Sequence, residues 1–271
     1  MLISATMFRE QFPIFTPAGL GAILLVVTDP SQSQPETPPI CGILSIHKPL
    51  GLTSMMVCRV VKGKLKSAGA PKKVKVGHGG TLDPLASGVL VVLIGKATKQ
   101  QDRIMGTDKA YRAVVDLAHT SESCDMEFDP IPASIDHEPT LDEVREVCER
   151  FVGDIEQAPP MYSAIKINGR RAYAMARKGE DVEMKSRPAR IDAIEIIDYT
   201  WPMLEIDIRC GKGTYIRSLA RDIGVELGVG GMLASLVRTG VGRFTLEDTI
   251  ELEDLPDPLD PWGLPQAGLI H

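Results

Sequence analysis

The sequence predicts an α+β fold with a central mixed or antiparallel sheet flanked by helices. Three observations carry this. Two alternating segments, 189–197 and 204–210, follow each other after a short break, as antiparallel neighbours do. A continuous apolar run at 89–94 suits a strand buried on both faces. Helical patterns are scattered among the strand patterns, with no internal repeats and no strict strand–helix alternation.

Each element has its own signal. Residues 40–46 alternate, with Gly42, Leu44 and Ile46 on one side, and Lys48-Pro49-Leu50-Gly51 ends that strand. Thr53 or Ser54 can cap a helix reaching about Lys66, its apolar stripe being Val57, Val60, Val61 and Leu65 and its wet face basic. The run 89–94 stops at Gly95. Residues 110–117 alternate again, placing Tyr111, Ala113, Val115 and Leu117 together. Thr140-Leu141-Asp142-Glu143 is a capping box ahead of Val144, Val147, Cys148 and Phe151, with Gly153 as the stop; this acidic helix is expected at the periphery. Residues 169–177 read as a short basic helix closed by Gly179, and 214–227 as a helix closed by Gly228.

Charge is segregated in a chain whose net charge is −6. Between Glu36 and Asp102 the one carboxylate is Asp83, among Lys48, Arg59, Lys62, Lys64, Lys66, Lys72, Lys73, Lys75, Lys96 and Lys99. Acids dominate 116–156 and the stretch from Glu247 onward. This pattern suits a polyanion-binding face backed by an acidic, solvated one. An acid inside the basic field weakens phosphate attraction unless it has a task, although Asp83-Pro84 also fits plain turn chemistry.

Several classes are set aside. The five cysteines are dispersed and odd in number, which reads as free thiols in a reducing, cytoplasmic setting. Histidines show no metal-ligand spacing, and there is no phosphate loop, dinucleotide fingerprint or nucleophile elbow, so no cofactor is expected. The apolar stretch 14–27 is too short to span a bilayer and contains Pro17. Residues 1–38 therefore read as a poorly ordered extension and linker, 39–255 as the working domain and 256–271 as a proline-rich tail.

Four separated blocks resemble one family. They are GILSIHKPLGLTS at 42–54, GHGGTLDPLASGVLVVLIGKATK at 77–99, QAPPMYSAIKINGRRAYAMARKG at 157–179, and CGKGTYIRSLARDIGVELGVGG at 210–231 followed by LVRTGVGRF at 236–244. These are similar to the motifs of pseudouridine synthases of the TruB type. The resemblance implies the pseudouridine synthase fold and isomerisation of uridine 55 in the T loop of tRNA, with the target base flipped out of its stack. It implies no redox change, metal or ATP, and a monomer acting on the T stem-loop without a membrane or obligate protein partner.

Roles follow from the same resemblance. Asp83 matches the nucleophile, and Gly79 and Gly80 are expected to let RNA come close. Tyr111 matches a tyrosine that stacks on the flipped base; by pattern alone it is a half-buried strand residue. Arg217 matches the arginine that pairs with the nucleophile and is expected to lower its pKa. Tyr215 matches a base-contacting position and Leu236 an apolar wall of the base pocket, though Leu236 also fits a core. His78 matches a residue that meets RNA near the vacated stack. Lys48 and Pro49 match a substrate-side loop, with phosphate contact the expected part of Lys48.

Two departures stand out. The family's glycine and Thr-x-Thr-x-Asp run is replaced by 117–125, LAHTSESCD, which keeps Asp125. The usual C-terminal RNA-binding β domain finds no room after Leu255. Two other functions compete: an RNA-binding or tRNA-folding module of the same fold that needs no catalysis, and a glycosidase-like hydrolase, which would need a second carboxylate at the site.

Overall fold

The computed structural model describes residues 39–163, 165–167, 169–177, 180 and 184–265. The expected extension 1–38 and the expected helix stop Gly179 lie outside the described residues.

Ten strands form one sheet: β1 (Cys41–Lys48), β2 (Val76–His78), β3 (Ala86–Gly95), β4 (Lys109–Asp116), β5 (Gly153–Gln157), β6 (Arg187–Thr200), β7 (Met203–Cys210), β8 (Met232–Val241), β9 (Phe244–Thr245) and β10 (Ile250–Glu251). Their order is β10-β1-β3-β8-β4-β7-β6-β5, with β2 on β3 and β9 on β8. The sheet is mixed: β8 runs parallel to β3, and β10 parallel to β1, while the other pairs are antiparallel. Among the described residues five α-helices accompany it: α1 (Ser54–Ser67), α2 (Gln101–Gly106), α3 (Leu141–Arg150), α4 (Ala172–Ala176) and α5 (Ile216–Leu227). The α+β class and the mixed central sheet are as the sequence predicts. Among the described residues no helix is long and apolar enough to cross a membrane.

The apolar run in β3 is continuous because both faces are covered. Leu90, Val92 and Ile94 meet Val57, Val61 and Leu65 of α1. Val89, Val91 and Leu93 point the other way, onto Ile104 of α2 and Phe244. In the other half of the sheet, one face of β4 and β7 packs on α3 and α5 through Val115, Leu117, Ile206, Leu219 and Ile223. The opposite face of that half carries Arg112, paired to Asp207 across the strands at 2.7 Å.

The helix termini follow their signals. Thr53 caps α1, its hydroxyl accepting from the Met56 N–H. Thr140 and Glu143 form the capping box of α3. Gly228 closes α5 in the left-handed conformation at φ 69°.

Three expectations are corrected. In α1, Val60 is exposed and Cys58 is buried, because the four-residue repeat Val57–Val61–Leu65 leaves Val60 off the covered face. The basic helix at 169–177 shrinks to α4, since Arg170–Arg171 pairs with Lys166–Ile167 as a hairpin turned at Gly169. The segment after Leu255 does not trail away: Leu259 and Leu264 join Leu255 in the core beside α1. Lys64 Nζ donates to the Leu255 carbonyl at 2.7 Å, and the Leu259 N–H donates to the Lys64 carbonyl at 3.2 Å. Each buried leucine there contributes about 1.5–3 kcal/mol.

Candidate active site

The loop between β2 and β3 carries Asp83 and is pinned on every side. The Leu82 N–H donates to the Ser54 hydroxyl at 2.8 Å, and that hydroxyl donates to the Leu82 carbonyl. The Gly51 N–H donates to the Pro84 carbonyl at 2.8 Å. A side chain at Gly79 would collide with Ile104, its Cβ 2.2 Å from Cγ2. Gly79 is therefore required by close packing of the loop on α2; the sequence reading gave it to RNA approach instead. Gly80 has φ +141°, a conformation open to glycine.

Arg217, the second residue of α5, meets this loop from across the cleft. It is 5% exposed, and its Nη2 lies 3.0 Å from Asp83 Oδ2. The same guanidinium donates to the carbonyls of Ser123 and Tyr162 and lies 3.5 Å from Asp125 Oδ2. Asp125 is in turn held by the Ser123 hydroxyl. The Ser121 hydroxyl donates to the Asp125 carbonyl at 2.6 Å. Both serines of this departing run therefore hold Asp125 in place.

The electrostatics at Asp83 differ from the sequence expectation. Its pKa is raised from the ordinary carboxylate value: burial dominates, Arg217 opposes it, and Asp125 and Glu127 add to the rise. Arg217 keeps the carboxylate paired without overcoming the protein packed around it. The side chain nonetheless stays 39% exposed, open to the cleft.

The far wall comes from neighbouring strands. Tyr111 on β4 stands opposite Arg238 on β8, and Leu236 stands opposite Ala113. Burial raises the Tyr111 phenol pKa, and the Arg238 charge pulls it back down. Tyr215 precedes α5, and its backbone N–H donates to Gln157 Oε1 at 2.8 Å. Its phenol is also raised, by burial first. These residues enclose a cleft of about 780 Å³. Leu85, Met105 and Met126 line the same cleft and are exposed, giving an apolar rim suited to the faces of unstacked bases.

Of the sequence-predicted residues, Asp83, Tyr111, Arg217, Tyr215 and Leu236 converge on the cleft. His78 sits on β2, half-buried and away from the cleft lining, with its imidazole pKa lowered by burial and by the Arg238 charge. Lys48 is a correction. It is fully buried, and its ammonium donates to the carbonyls of Pro49 at 2.8 Å and Leu52 at 2.7 Å. Phosphate contact is replaced by a structural task, because those donors are spent on folding the 48–52 loop against Pro84. Pro49 belongs to the same loop, outside the cleft lining.

Arg238 and Lys109 were not foreseen as cleft residues. Arg238 is 2% exposed and donates to the carbonyls of Val89, Thr81 and Gly80. Lys109 is buried, donating to the carbonyls of Met105 and Thr107 at the end of α2. For Lys109 the available signal was a cation two positions from Tyr111 on an alternating strand; Arg238, on β8, had only its place two positions from Leu236.

Known proteins resemble this chain over most of the described residues. Residues 66–216 match the family model described as TruB family pseudouridylate synthase (N terminal domain), and residues 217–262 match the tRNA pseudouridylate synthase B C-terminal domain. The junction falls within α5, and β8 lies between β3 and β4, so both matched segments build one sheet. The chain is 44% identical over 218 residues to tRNA pseudouridine synthase B of Phocaeicola vulgatus, covering 80% of this chain and 93% of that protein. It is 44% identical over 214 residues to tRNA pseudouridine synthase B of Clostridium kluyveri, covering 79% and 72%. Among solved structures it is similar to a chain of a Cbf5-Nop10-Gar1 complex, with TM-score 0.61, 31% identity and 79% of this chain covered. It spans 53% of that longer chain.

Proposed function

The chain belongs to the TruB family of pseudouridine synthases, and from that premise we propose that it converts uridine 55 in the T loop of tRNA to pseudouridine. The observation that carries this reading is the Asp83–Arg217 pair, 3.0 Å apart, at the floor of a cleft whose far wall holds Tyr111.

The geometry supports a division of labour. A uridine unstacks and enters the cleft, at a cost of a few kcal/mol that contacts there offset. Tyr111 and Leu236 take the two faces of the base. The Asp83 carboxylate acts covalently on the nucleoside, splitting a difficult exchange into easier steps. The bond between ribose C1′ and N1 breaks, the base turns, and a bond from C1′ to C5 forms. C5 loses its proton and N1 gains one, so the RNA is isomerised without change of composition. Arg217 keeps Asp83 paired and oriented, and the basic face bearing Lys66, Lys72, Lys73 and Lys75 attracts the RNA backbone. The protein works in the cytoplasm, where tRNA is available, as a monomer.

The test is to incubate the protein with a tRNA transcript and map pseudouridine base by base. A single modified T-loop uridine is expected, and it disappears when that uridine is replaced by cytidine. Tight binding with unmodified RNA would leave only an RNA-binding module; release of free uracil would indicate a hydrolase.

A further inference from the structure

Arg238 is a buried cation without a carboxylate. Its guanidinium is satisfied by three backbone carbonyls, and among the described residues no acid stands within ion-pair distance. Burying a charge in this way costs free energy that an apolar residue in the same strand would not. Two of the three carbonyls, Gly80 and Thr81, belong to the loop that ends in Asp83. In the register of β8 with β4, Arg238 lies directly opposite Tyr111, and both side chains line the cleft. One side chain thus touches the nucleophile's loop and neighbours the phenol on the opposing strand.

We infer that Arg238 is a positioning residue for the reaction: it clamps the Gly80–Thr81 turn that aims Asp83, and it sets the Tyr111 phenol in a positive field that strengthens it as a hydrogen-bond donor to the nucleotide on whose base it stacks. The inference rests on reading the cleft as the isomerase site. Burial works against an acidic phenol at Tyr111 and the guanidinium works for it, which fits the role. Neighbouring Lys109, on the same face of β4, spends its ammonium on α2 carbonyls and leaves this task to Arg238.

The experiment uses the full chain and tRNA carrying tritium at uridine C5, because forming the bond to C5 sends that hydrogen to water. Arg238→Lys, Arg238→Met and Tyr111→Phe are compared, singly and combined. The expected result is a fall in kcat of about tenfold for Lys and about a hundredfold for Met, with KM and RNA affinity within about twofold of wild type. In the Tyr111→Phe background each Arg238 change is expected to cost several-fold less, since the part of its effect that runs through the phenol is already lost. Arg238→Lys keeps the buried charge and carries the test if the Met variant fails to fold. Equal losses in both backgrounds, a loss confined to KM, or an unchanged kcat would overturn the inference. A wild-type protein that binds tRNA but releases no tritium would overturn the isomerase reading first, and this inference with it.

Discussion

Arg217 Nη2 lies 3.0 Å from Asp83 Oδ2 while Nη1 of the same guanidinium lies 3.5 Å from Asp125 Oδ2. One buried cation therefore serves two acids, of which Asp83 opens to the cleft and Asp125 is buried.

Removing that cation should harm both folding and turnover. Arg217→Ala leaves Asp125 buried without its partner, which costs about 3–5 kcal/mol. Arg217→Lys retains the charge but not the fork that reaches the Ser123 and Tyr162 carbonyls. For Arg217→Lys we expect kcat to fall more than about tenfold with RNA affinity little changed. Thermal melting and steady-state kinetics check this; normal turnover with weak RNA binding would make Arg217 a backbone contact.

Asp83→Asn is expected to abolish product formation and leave tRNA affinity nearly intact. Residual turnover above about a tenth of wild type would be incompatible with a nucleophile. The pKa of Asp83 is raised in the fold, so any stability it adds is present at low pH and lost as pH rises. At neutral pH the Asn variant should therefore melt no lower on this account. For catalysis the sign runs the other way: the ionised form is active, and activity is lost as pH falls through the raised pKa. The acid limb of kcat/KM should lie above the ordinary value of 3.8. Glu127→Gln, which removes one of the acids that raise it, should move that limb to lower pH.

Which parts of this were legible beforehand has a physical explanation. β4 and β7 alternate cleanly and β3 is a continuous apolar run, so pattern finds them; β6 alternates well enough over 189–197 to be found although its register shifts twice. β8, in the middle of the sheet, gives no clean alternation. Its register shifts between Leu233 and Ser235 and again between Arg238 and Gly240, and each irregularity breaks the two-residue period. Arg238 was hidden with it, because an arginine in a weak strand pattern reads as surface. Lys48 misled for a related reason: sequence shows that a residue is charged but not that carbonyls at Pro49 and Leu52 will surround it. The convergence of Asp83, Tyr111 and Arg217 came from family resemblance, since nothing local in the three segments says they meet.

Lys48→Met should act on stability and not on RNA affinity. Burial pushes the Lys48 ammonium down to about 8, against an opposing pull from the Asp83 charge. With a folded pKa below the unfolded 10.5, the unfolded chain binds more protons between these values, so stability rises with pH across that window. The Met variant should show a shallower rise between about 8 and 10.5, and a melting temperature at neutral pH set by two opposed effects: relief from the buried charge and loss of the donor to the Pro49 and Leu52 carbonyls. Its RNA affinity should have an unchanged salt dependence. A smaller salt slope would restore the phosphate-contact role.

The segment after Leu255 should be needed for stability. Leu264 packs so closely on β1 that a Cβ at Gly42 would stand 2.6 Å from Leu264 Cβ. Leu264→Ala is expected to cost about 2–4 kcal/mol as a core truncation. Denaturant unfolding checks this, and a change within about 0.5 kcal/mol would show that the segment only rests on the surface.

The basic face can be tested against the corrected roster. Lys48 is buried, and Lys64 is engaged with the Leu255 carbonyl and lies 3.8 Å from Asp257. Lys72, Lys73 and Lys75 are exposed in the approach to β2, on the path that leads to His78 and the Asp83 loop. Each phosphate contact contributes about 0.7–0.9 to the slope of log affinity against log salt. Changing all three lysines to Gln should therefore reduce that slope by about 2–3 if all three meet phosphate. Since none lines the cleft, kcat at saturating tRNA should stay the same. Binding titrations over a range of salt, paired with single-turnover rates, separate the two effects. An unchanged slope would place the RNA backbone on another face, and a fall in the saturated rate would mean these lysines reach the chemistry itself.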